Sequence, residues 1–163
     1  MADFGAISIQ EAVEPCELEA IRILFLEYAE TLDFSLCFQG FDDELANLPG
    51  KYAPPGGCLL LASDSVGGVA GCVGVRPIGE ADAEMKRLYV RPEYRSLSLG
   101  KRLADAAVSF ARDAGYNALC LDTISEKMVA AERLYREMGF VETPPYYDNP
   151  VAGAAFYALD LKG

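Results

Sequence analysis

The stretch that decides the fold is EMKRLYVRPEYRSLSLGKRL, residues 84–103. Its first seven residues predict a β-strand, but the apolar side chains change faces near Lys86 and Arg87 instead of alternating regularly. One extra residue at that point, a β-bulge, would restore the alternation. A bulge in a central strand separates that strand from its neighbour and leaves backbone N–H and C=O groups free. The alternative is an edge strand that carries two solvated basic residues.

The second part of the stretch predicts a turn that leads into an amphipathic helix over residues 100–114. Free N–H groups converge at a helix N-terminus, where the helix dipole also favours an anion. Residues 86–102 contain six basic side chains and the single acid Glu93, so they carry a local charge of +5. The chain has neither a GxxxxGK[ST] loop nor a GxGxxG loop, and the turn is therefore a candidate pyrophosphate site of another kind.

Hydrophobic periodicity outward from this stretch predicts an α+β fold with a mixed sheet of about seven strands. We expect strands at 7–10, 58–62, 69–75, 84–90, 118–122, 140–142 and 154–161, and helices at 14–31, 41–48, 100–114 and 128–138. No linker, repeat or low-complexity segment interrupts this pattern. We therefore expect residues 1–163 to form a single domain.

Composition excludes several function classes. The 163 residues include no histidine, so a Ser-His-Asp triad, a histidine base and a histidine-ligated metal are impossible. The formal net charge is −11, of which residues 1–80 contribute −10. This charge argues against nucleic acid or an anionic membrane as the partner. Proton transfer in such a protein must use carboxylates, tyrosine, lysine, cysteine or water.

The five cysteines lie at least fourteen positions apart and form no CxxC pair. This spacing predicts no metal or redox site and is typical of small buried residues in a reducing compartment. The first fifteen residues lack the basic segment of a signal peptide, and no run of eighteen apolar residues occurs. We therefore expect a cytoplasmic protein that has no membrane span.

Two segments together resemble the GNAT-type N-acetyltransferase superfamily. Residues 84–103 are similar to its acyl-CoA motif, Q/R-x-x-G-x-G/A after a strand that ends in V-x-P. Residues 131–140, AERLYREMGF, resemble its second signature, A-x-x-L-Y-x-x-x-G-F. The element order also matches, so the resemblance covers nearly the whole chain. It implies a three-layer fold with helices on both faces of the central sheet, and acetyl-CoA as co-substrate.

The resemblance also implies which residues hold the coenzyme. Leu88 and Val90 would bind the pantetheine arm through their backbone, and the N–H of Leu88 or Tyr89 would polarise the acetyl carbonyl. The pyrophosphate would lie against Arg95, Ser96, Leu97, Ser98, Leu99, Gly100 and Lys101. The chain departs from the motif at Ser98, where the first motif glycine is expected, and at Ser96, where glycine is also common. It departs again at Met128, where the family often has asparagine. Serine lacks the freedom of glycine at positive φ.

Without histidine, the implied mechanism uses a carboxylate and a phenol. Glu84 occupies a position that supplies the base in some family members, and it would act directly or through water. The alternative is a solvent-facing glutamate at an edge. Tyr135 would donate a proton to the leaving sulfur, or else it is a core tyrosine. A route through an acetylated Cys72 or Cys120 lacks a histidine to activate the thiol.

The acceptor site is predicted from the loop between the first two helices and from the last hairpin, through Phe38, Asp42 and Tyr147. Our hypothesis is a small cationic amine, whereas the alternative is an ordinary solvated acidic surface. The predicted activity is transfer of an acetyl group from acetyl-CoA to a primary amine of a small molecule or peptide, by direct attack. A non-catalytic acyl-CoA sensor stays open as the rival, and a homodimer is compatible with so apolar a chain.

Overall fold

The computed structural model describes residues 5–125 and 128–162, apart from the side chain of Ser96. Seven strands form one sheet: β1 Ser8–Glu11, β2 Cys58–Ser63, β3 Val69–Ile78, β4 Asp82–Val90, β5 Ala118–Ile124, β6 Val141–Thr143 and β7 Ala154–Asp160. Their order is β1-β2-β3-β4-β5-β7-β6. The β4–β5 pair is parallel and every other neighbouring pair is antiparallel, which confirms the mixed sheet.

In the described part of the chain, four α-helices accompany the sheet: α1 Pro15–Glu30, α2 Phe41–Ala46, α3 Leu99–Asp113 and α4 Val129–Glu137. The predicted helices and strands all occur, with ends that differ by three residues or fewer. Three 3-10 helices, at Cys37–Gln39, Gly50–Tyr52 and Pro92–Leu97, were not predicted, because such short segments have no apolar period of their own. Within the described residues, no helix has the length and apolar character needed to span a membrane.

The helices cover both faces of the sheet, as a three-layer fold requires. On one face, Ile21, Leu24 and Phe25 of α1 pack in a core with Leu59 and Leu61 of β2. On the other face, a second core contains Tyr135 of α4 and the apolar side of α3. The residues of α3 in this core are Leu99, Leu103, Ala104, Ala107, Val108 and Ala111. Successive residues of β2 serve different cores because strand side chains alternate between faces.

The predicted β-bulge lies in β4, at the centre of the sheet. Tyr89 pairs with Cys72, but Lys86 pairs with Gly74, so one residue of β3 faces two residues of β4. Arg87 takes up the extra length in a left-handed conformation, with φ at 62°. Ala83 and Met85 before the bulge, and Leu88 and Val90 after it, all pack in the same core. Because Lys86 and Arg87 are buried in a central strand, the alternative of solvated edge residues is wrong.

Beyond the bulge, β4 and β5 separate. Their parallel pairing covers only Asp82, Ala83 and Glu84, opposite Ala118, Leu119 and Cys120. The remaining described residues of β4 do not pair with β5. The opposite side of β4 stays paired with β3 as far as Val90. The sheet is therefore open at its centre, where backbone groups of β4 face a gap.

Candidate active site

A cleft of about 690 Å³ occupies the gap between β4 and β5. Leu88, Tyr89 and Val90 line one side of it, and α4 lines the opposite side with Ala131, Leu134 and Tyr135. Arg95, in the 3-10 helix before α3, and Gly100, in the first turn of α3, line the end of the cleft and belong to the predicted pyrophosphate site. The cleft is therefore lined by six of the site residues that were predicted from the sequence: Leu88, Tyr89, Val90, Arg95, Gly100 and Tyr135.

The turn before α3 is adjacent to the cleft and contributes less to its lining than the sequence suggested. Leu97, Ser98, Leu99 and Lys101 do not line it; Leu99 is fully buried in the core, and Lys101 pairs with Asp105 at 2.7 Å. Ser98 precedes the helix with φ at 55°, and the Nε of Arg95 donates a hydrogen bond to the carbonyl oxygen of Val90 (3.0 Å). The side chain of Ser96 lies outside the described part of the chain.

The six basic residues of 86–102 do not form one cluster, which corrects the local charge of +5. Lys86 pairs with Asp122, Arg87 with Glu44, and Arg91 with Glu27. Only Arg95, Lys101 and Arg102 belong to the segment around the start of α3, and Arg102 donates to the carbonyl oxygen of Ile7. Summing charges along residues 86–102 overstated the site, because three of the six basic residues pair with acids from other elements.

A second cavity of about 520 Å³ lies on the other side of Lys86. Phe38 and Tyr147, both named from the sequence, line it together with Tyr146 and Glu84. The hydroxyl of Tyr147 also accepts a hydrogen bond from the side-chain amide of Gln39 (3.1 Å), so the two predicted acceptor loops are in contact. Asp42 does not line this cavity and is exposed on α2.

Glu84 is almost completely buried in β4, so it is not the solvent-facing edge residue that was the alternative. One carboxylate oxygen accepts a hydrogen bond from the Nε of Arg76 (2.9 Å), and the other accepts one from the hydroxyl of Tyr146 (2.5 Å). The ammonium of Lys86 is 3.9 Å from the second oxygen. Both oxygens of Glu84 thus accept hydrogen bonds from other side chains.

Asp122 of β5 is a buried site residue that sequence reasoning missed. Its carboxylate accepts hydrogen bonds from Lys86 (3.3 Å), from Asn149 (2.9 Å) and from the hydroxyl of Tyr147. Burial would raise the pKa of Asp122, but Lys86 and these hydrogen bonds hold its pKa below the ordinary value. A lone acid within the otherwise apolar run ALCLDTI was the signal available in the sequence.

Tyr135 lines the cleft while nearly all of its side chain is buried. Its ring packs against Phe140, with 5.8 Å between ring centroids. Burial raises the pKa of Tyr135 above the ordinary phenol value, so its hydroxyl keeps its proton at neutral pH. A protonated phenol in the cleft is suited to donate a hydrogen bond or a proton to a group bound there.

Sequence comparison identifies a family and individual relatives to which this chain is similar. The model of the acetyltransferase (GNAT) family matches residues 18–140. An uncharacterized N-acetyltransferase of Schizosaccharomyces pombe is 42% identical over 157 residues, which is 96% of each chain. Human N-acetyltransferase 8 is 30% identical over 121 residues, a segment that covers 71% of this chain and 51% of that protein.

Solved structures share the fold. An acetyltransferase of the GNAT family from Staphylococcus aureus Mu50 superposes with a TM-score of 0.78 at 24% identity, over 96% of this chain and 100% of that one. The Salmonella typhimurium protein yncA, solved with acetyl-CoA as its cofactor, superposes with a TM-score of 0.72 at 20% identity, over 96% of this chain and 95% of that one. On the family match and the sequence relatives, the chain belongs to the acetyltransferase (GNAT) family of N-acetyltransferases.

Proposed function

We propose that this N-acetyltransferase moves the acetyl group of acetyl-CoA to a primary amine of a small molecule or peptide, by direct attack of the amine on the thioester. The observation that carries this proposal is the meeting of two cavities across Lys86 and Gln39, one in the strand gap and one between the predicted acceptor loops. An acyl donor and an acceptor could then approach each other from opposite sides.

The strand gap is the proposed coenzyme site. Backbone groups of Leu88 and Val90 would bind the pantetheine arm, and the N–H of Leu88 or Tyr89 would polarise the acetyl carbonyl. The phosphates would lie at residues 95–101, where the turn reaches the N-terminus of α3. The likeness to yncA, which was solved with acetyl-CoA, supports this assignment through the shared fold.

The second cavity is the proposed acceptor site. Phe38 and Tyr147 offer aromatic faces to the body of the acceptor, and Glu84 offers a carboxylate to its ammonium. The two acids of the lining, Asp82 and Glu84, are matched by Arg76 and Lys86. Glu84 is the group of this lining that would bind the ammonium of the acceptor, and Asp42 would act only at the rim.

Glu84 and Tyr135 are the proposed proton carriers. Glu84 would draw a proton from the acceptor ammonium, directly or through water, and the free amine would attack the thioester carbon. Collapse of the tetrahedral intermediate would break the C–S bond and leave its electron pair on sulfur. Tyr135, kept protonated by burial, would then supply a proton or hydrogen bond to the thiolate. The second proton of the attacking nitrogen, lost as the amide forms, balances the proton that the thiolate gains.

The cysteines favour direct attack over an acetyl-cysteine intermediate. Cys72 and Cys120 are buried, and neither lines the cleft or the second cavity. Burial raises the pKa of Cys72, and it raises the pKa of Cys120 to about 11. Neither thiol would therefore be a thiolate at neutral pH, and the thiolate is the nucleophilic form.

The proposal is tested by titrating the chain with acetyl-CoA and then assaying turnover on a panel of primary amines. We expect binding and turnover, with Tyr135→Phe and Glu84→Gln each lowering kcat about 10²-fold at unchanged acetyl-CoA affinity. Tyr116→Phe and Glu11→Gln serve as matched controls. Tyr116 donates only to the carbonyl oxygen of Gly56 among the described residues, and Glu11 lies exposed on the outer strand β1.

Three outcomes would contradict parts of the proposal. If acetyl-CoA binds to all variants and no amine is acetylated, the chain is an acyl-CoA sensor. If radiolabelled acetyl groups accumulate on Cys72 or Cys120 before an amine is added, the attack is not direct. Turnover restricted to anionic or neutral acceptors would remove the assigned role of Glu84 in binding an ammonium.

A further inference from the structure

One ionisable side chain is shared by the two cavities. Among the described residues, Gln39 and Lys86 alone line both the strand gap and the acceptor cavity. An amide cannot accept a proton at neutral pH, whereas a lysine amine can do so once it is deprotonated. Lys86 is therefore the group whose position allows it to exchange protons on both sides of the reacting centre.

Lys86 is buried and has charged groups of both signs around it. Only 3% of its side chain is exposed. Its Nζ is 3.3 Å from Asp122 and 3.9 Å from Glu84, and it lies 5.8 Å from the ring centroid of Tyr147. The charges that act on Lys86 are the carboxylates of Glu84 and Asp122 and the guanidinium groups of Arg76 and Arg87.

These groups oppose one another in their effect on Lys86. Burial lowers the pKa of Lys86 most strongly, and Arg87 and Arg76 lower it further, while Glu84 and Asp122 act to raise it. The net direction is downward from the ordinary lysine value. A larger fraction of Lys86 is thus neutral near physiological pH than of a lysine exposed to solvent.

We propose that Lys86 is the catalytic base in which the proton of the acceptor ammonium comes to rest. This inference rests on the proposed function, and it extends the role of Glu84 rather than replacing it. Both oxygens of Glu84 already accept hydrogen bonds from Arg76 and Tyr146, so Glu84 is better suited to bind the ammonium and pass its proton on than to keep it. The side chain of Lys86 donates a single hydrogen bond among the described residues, to Asp122.

The step balances in atoms and charge. Neutral Lys86 takes one proton from the acceptor ammonium, through Glu84 or directly, and becomes an ammonium beside Asp122. The free amine forms a C–N bond with the thioester carbon, and the C–S bond breaks with its electrons passing to sulfur. The nitrogen loses its second proton as the thiolate gains one. Lys86 returns to its neutral form by releasing to solvent the one proton that the overall reaction yields.

Lys86→Arg is the sharpest variant, because arginine keeps the positive charge beside Asp122 but does not give up its proton. Each enzyme would be assayed at saturating acetyl-CoA with an alkylamine acceptor, and with a fluorinated analogue of that acceptor whose amine is already neutral at the assay pH. We expect Lys86→Arg to lower kcat about 10²-fold or more with the alkylamine. It should have little effect with the neutral analogue, which needs no base.

Lys162→Arg is the matched control, since Lys162 is exposed near the end of the described chain. Isothermal titration of Lys86→Arg with acetyl-CoA should give the wild-type Kd and so report an intact coenzyme site. The wild-type kcat should also rise with pH through a pKa that stays constant when the acceptor is changed. That pKa should be absent from the profile of Lys86→Arg.

The results separate the two proposals. If the wild type acetylates no amine, the proposed function fails and Lys86 has no reaction to catalyse. If the wild type is active and Lys86→Arg retains full activity with the alkylamine, Lys86 is not the base. If kcat of Lys86→Arg falls equally with both acceptors, the substitution has damaged the site through packing. The assignment of Lys86 as the base is then overturned.

Discussion

Among the described residues, two that are not glycine adopt the left-handed backbone conformation that usually favours glycine, and both lie in the stretch from which the fold was predicted. Arg87 has φ at 62° and Ser98 has φ at 55°. Arg87 is held by hydrogen bonds to Glu44 and Gln39, whereas the exposed side chain of Ser98 makes no capping hydrogen bond with α3. Ser98 thus occupies a glycine-like position, and its side chain contributes nothing to the helix that it precedes.

We expect Ser98→Val to destabilise the protein by about 1–2 kcal/mol, because a β-branched side chain is poorly tolerated at positive φ. Ser98→Gly should leave the stability close to that of the wild type, since relief of backbone strain is offset by the greater freedom of glycine in the unfolded chain. Urea unfolding of both variants measures the difference. Ser109→Val, exposed within α3, is the control for the valine itself. Equal losses at positions 98 and 109 would contradict the prediction.

At the scale of elements, α2 and the 3-10 helix before it are attached to the bulge of β4. The guanidinium of Arg87 donates to both carboxylate oxygens of Glu44 (3.1 and 3.2 Å) and to the side-chain oxygen of Gln39 (2.6 Å). It also lies 5.1 Å from the ring centroid of Phe41. These contacts of the Arg87 guanidinium therefore come from the segment that borders the proposed acceptor cavity.

We expect Glu44→Ala to cost about 3 kcal/mol of unfolding free energy, because it leaves the buried charge of Arg87 without its carboxylate. The same variant should weaken acetyl-CoA binding, since the bulge that separates β4 from β5 would lose its support. Chemical denaturation and isothermal titration measure the two effects. Asp43→Ala removes an exposed acid from the same helix and should cost less than about 0.5 kcal/mol. The bulge is not supported by Glu44 if the two variants behave alike.

Local patterns in the sequence predicted the elements that have their own period. The switch of faces near Lys86 predicted the bulge. The two motifs predicted the strand that contains Leu88 and the helix that contains Tyr135. Pairing across the sheet was not predictable in this way, because Lys86 meets Asp122 and Arg87 meets Glu44 over about forty residues of chain. Spacing along one element shows which face a side chain occupies, but not which partner it finds there.

For the whole molecule, the net charge of −11 and the buried ion pairs have opposite effects as the pH falls. Protonating exposed acids reduces the repulsion among 25 carboxylates, which favours the folded state. Protonating carboxylates that are hydrogen-bonded only in the folded state disfavours it. Salt separates these effects. Ions screen exposed charges that are more than about 10 Å apart at 0.1 M, but they screen buried pairs much less.

Asp122 determines whether we expect the unfolding free energy to rise or fall at low pH. Its folded-state pKa lies below the ordinary value of 3.8, so the stability that it contributes is complete above that value. This stability is lost as the pH falls through the lowered pKa, because the unfolded chain then binds the proton more readily than the folded one. Glu27, whose pKa is lowered chiefly by its hydrogen bond with Arg91, acts in the same direction.

We therefore expect the unfolding free energy to decrease below about pH 4 even at 0.5 M NaCl, where repulsion among surface acids is largely screened. Asp122→Asn should be less stable at neutral pH, because it removes the partner of Lys86, and its stability should depend less on pH in this acidic range. Denaturation curves from pH 2.5 to 7 for the wild type, Asp122→Asn and the exposed control Glu11→Gln test this. A wild-type stability that holds steady down to pH 3 at high salt would show that surface charge, rather than the buried network around Asp122, controls acid sensitivity.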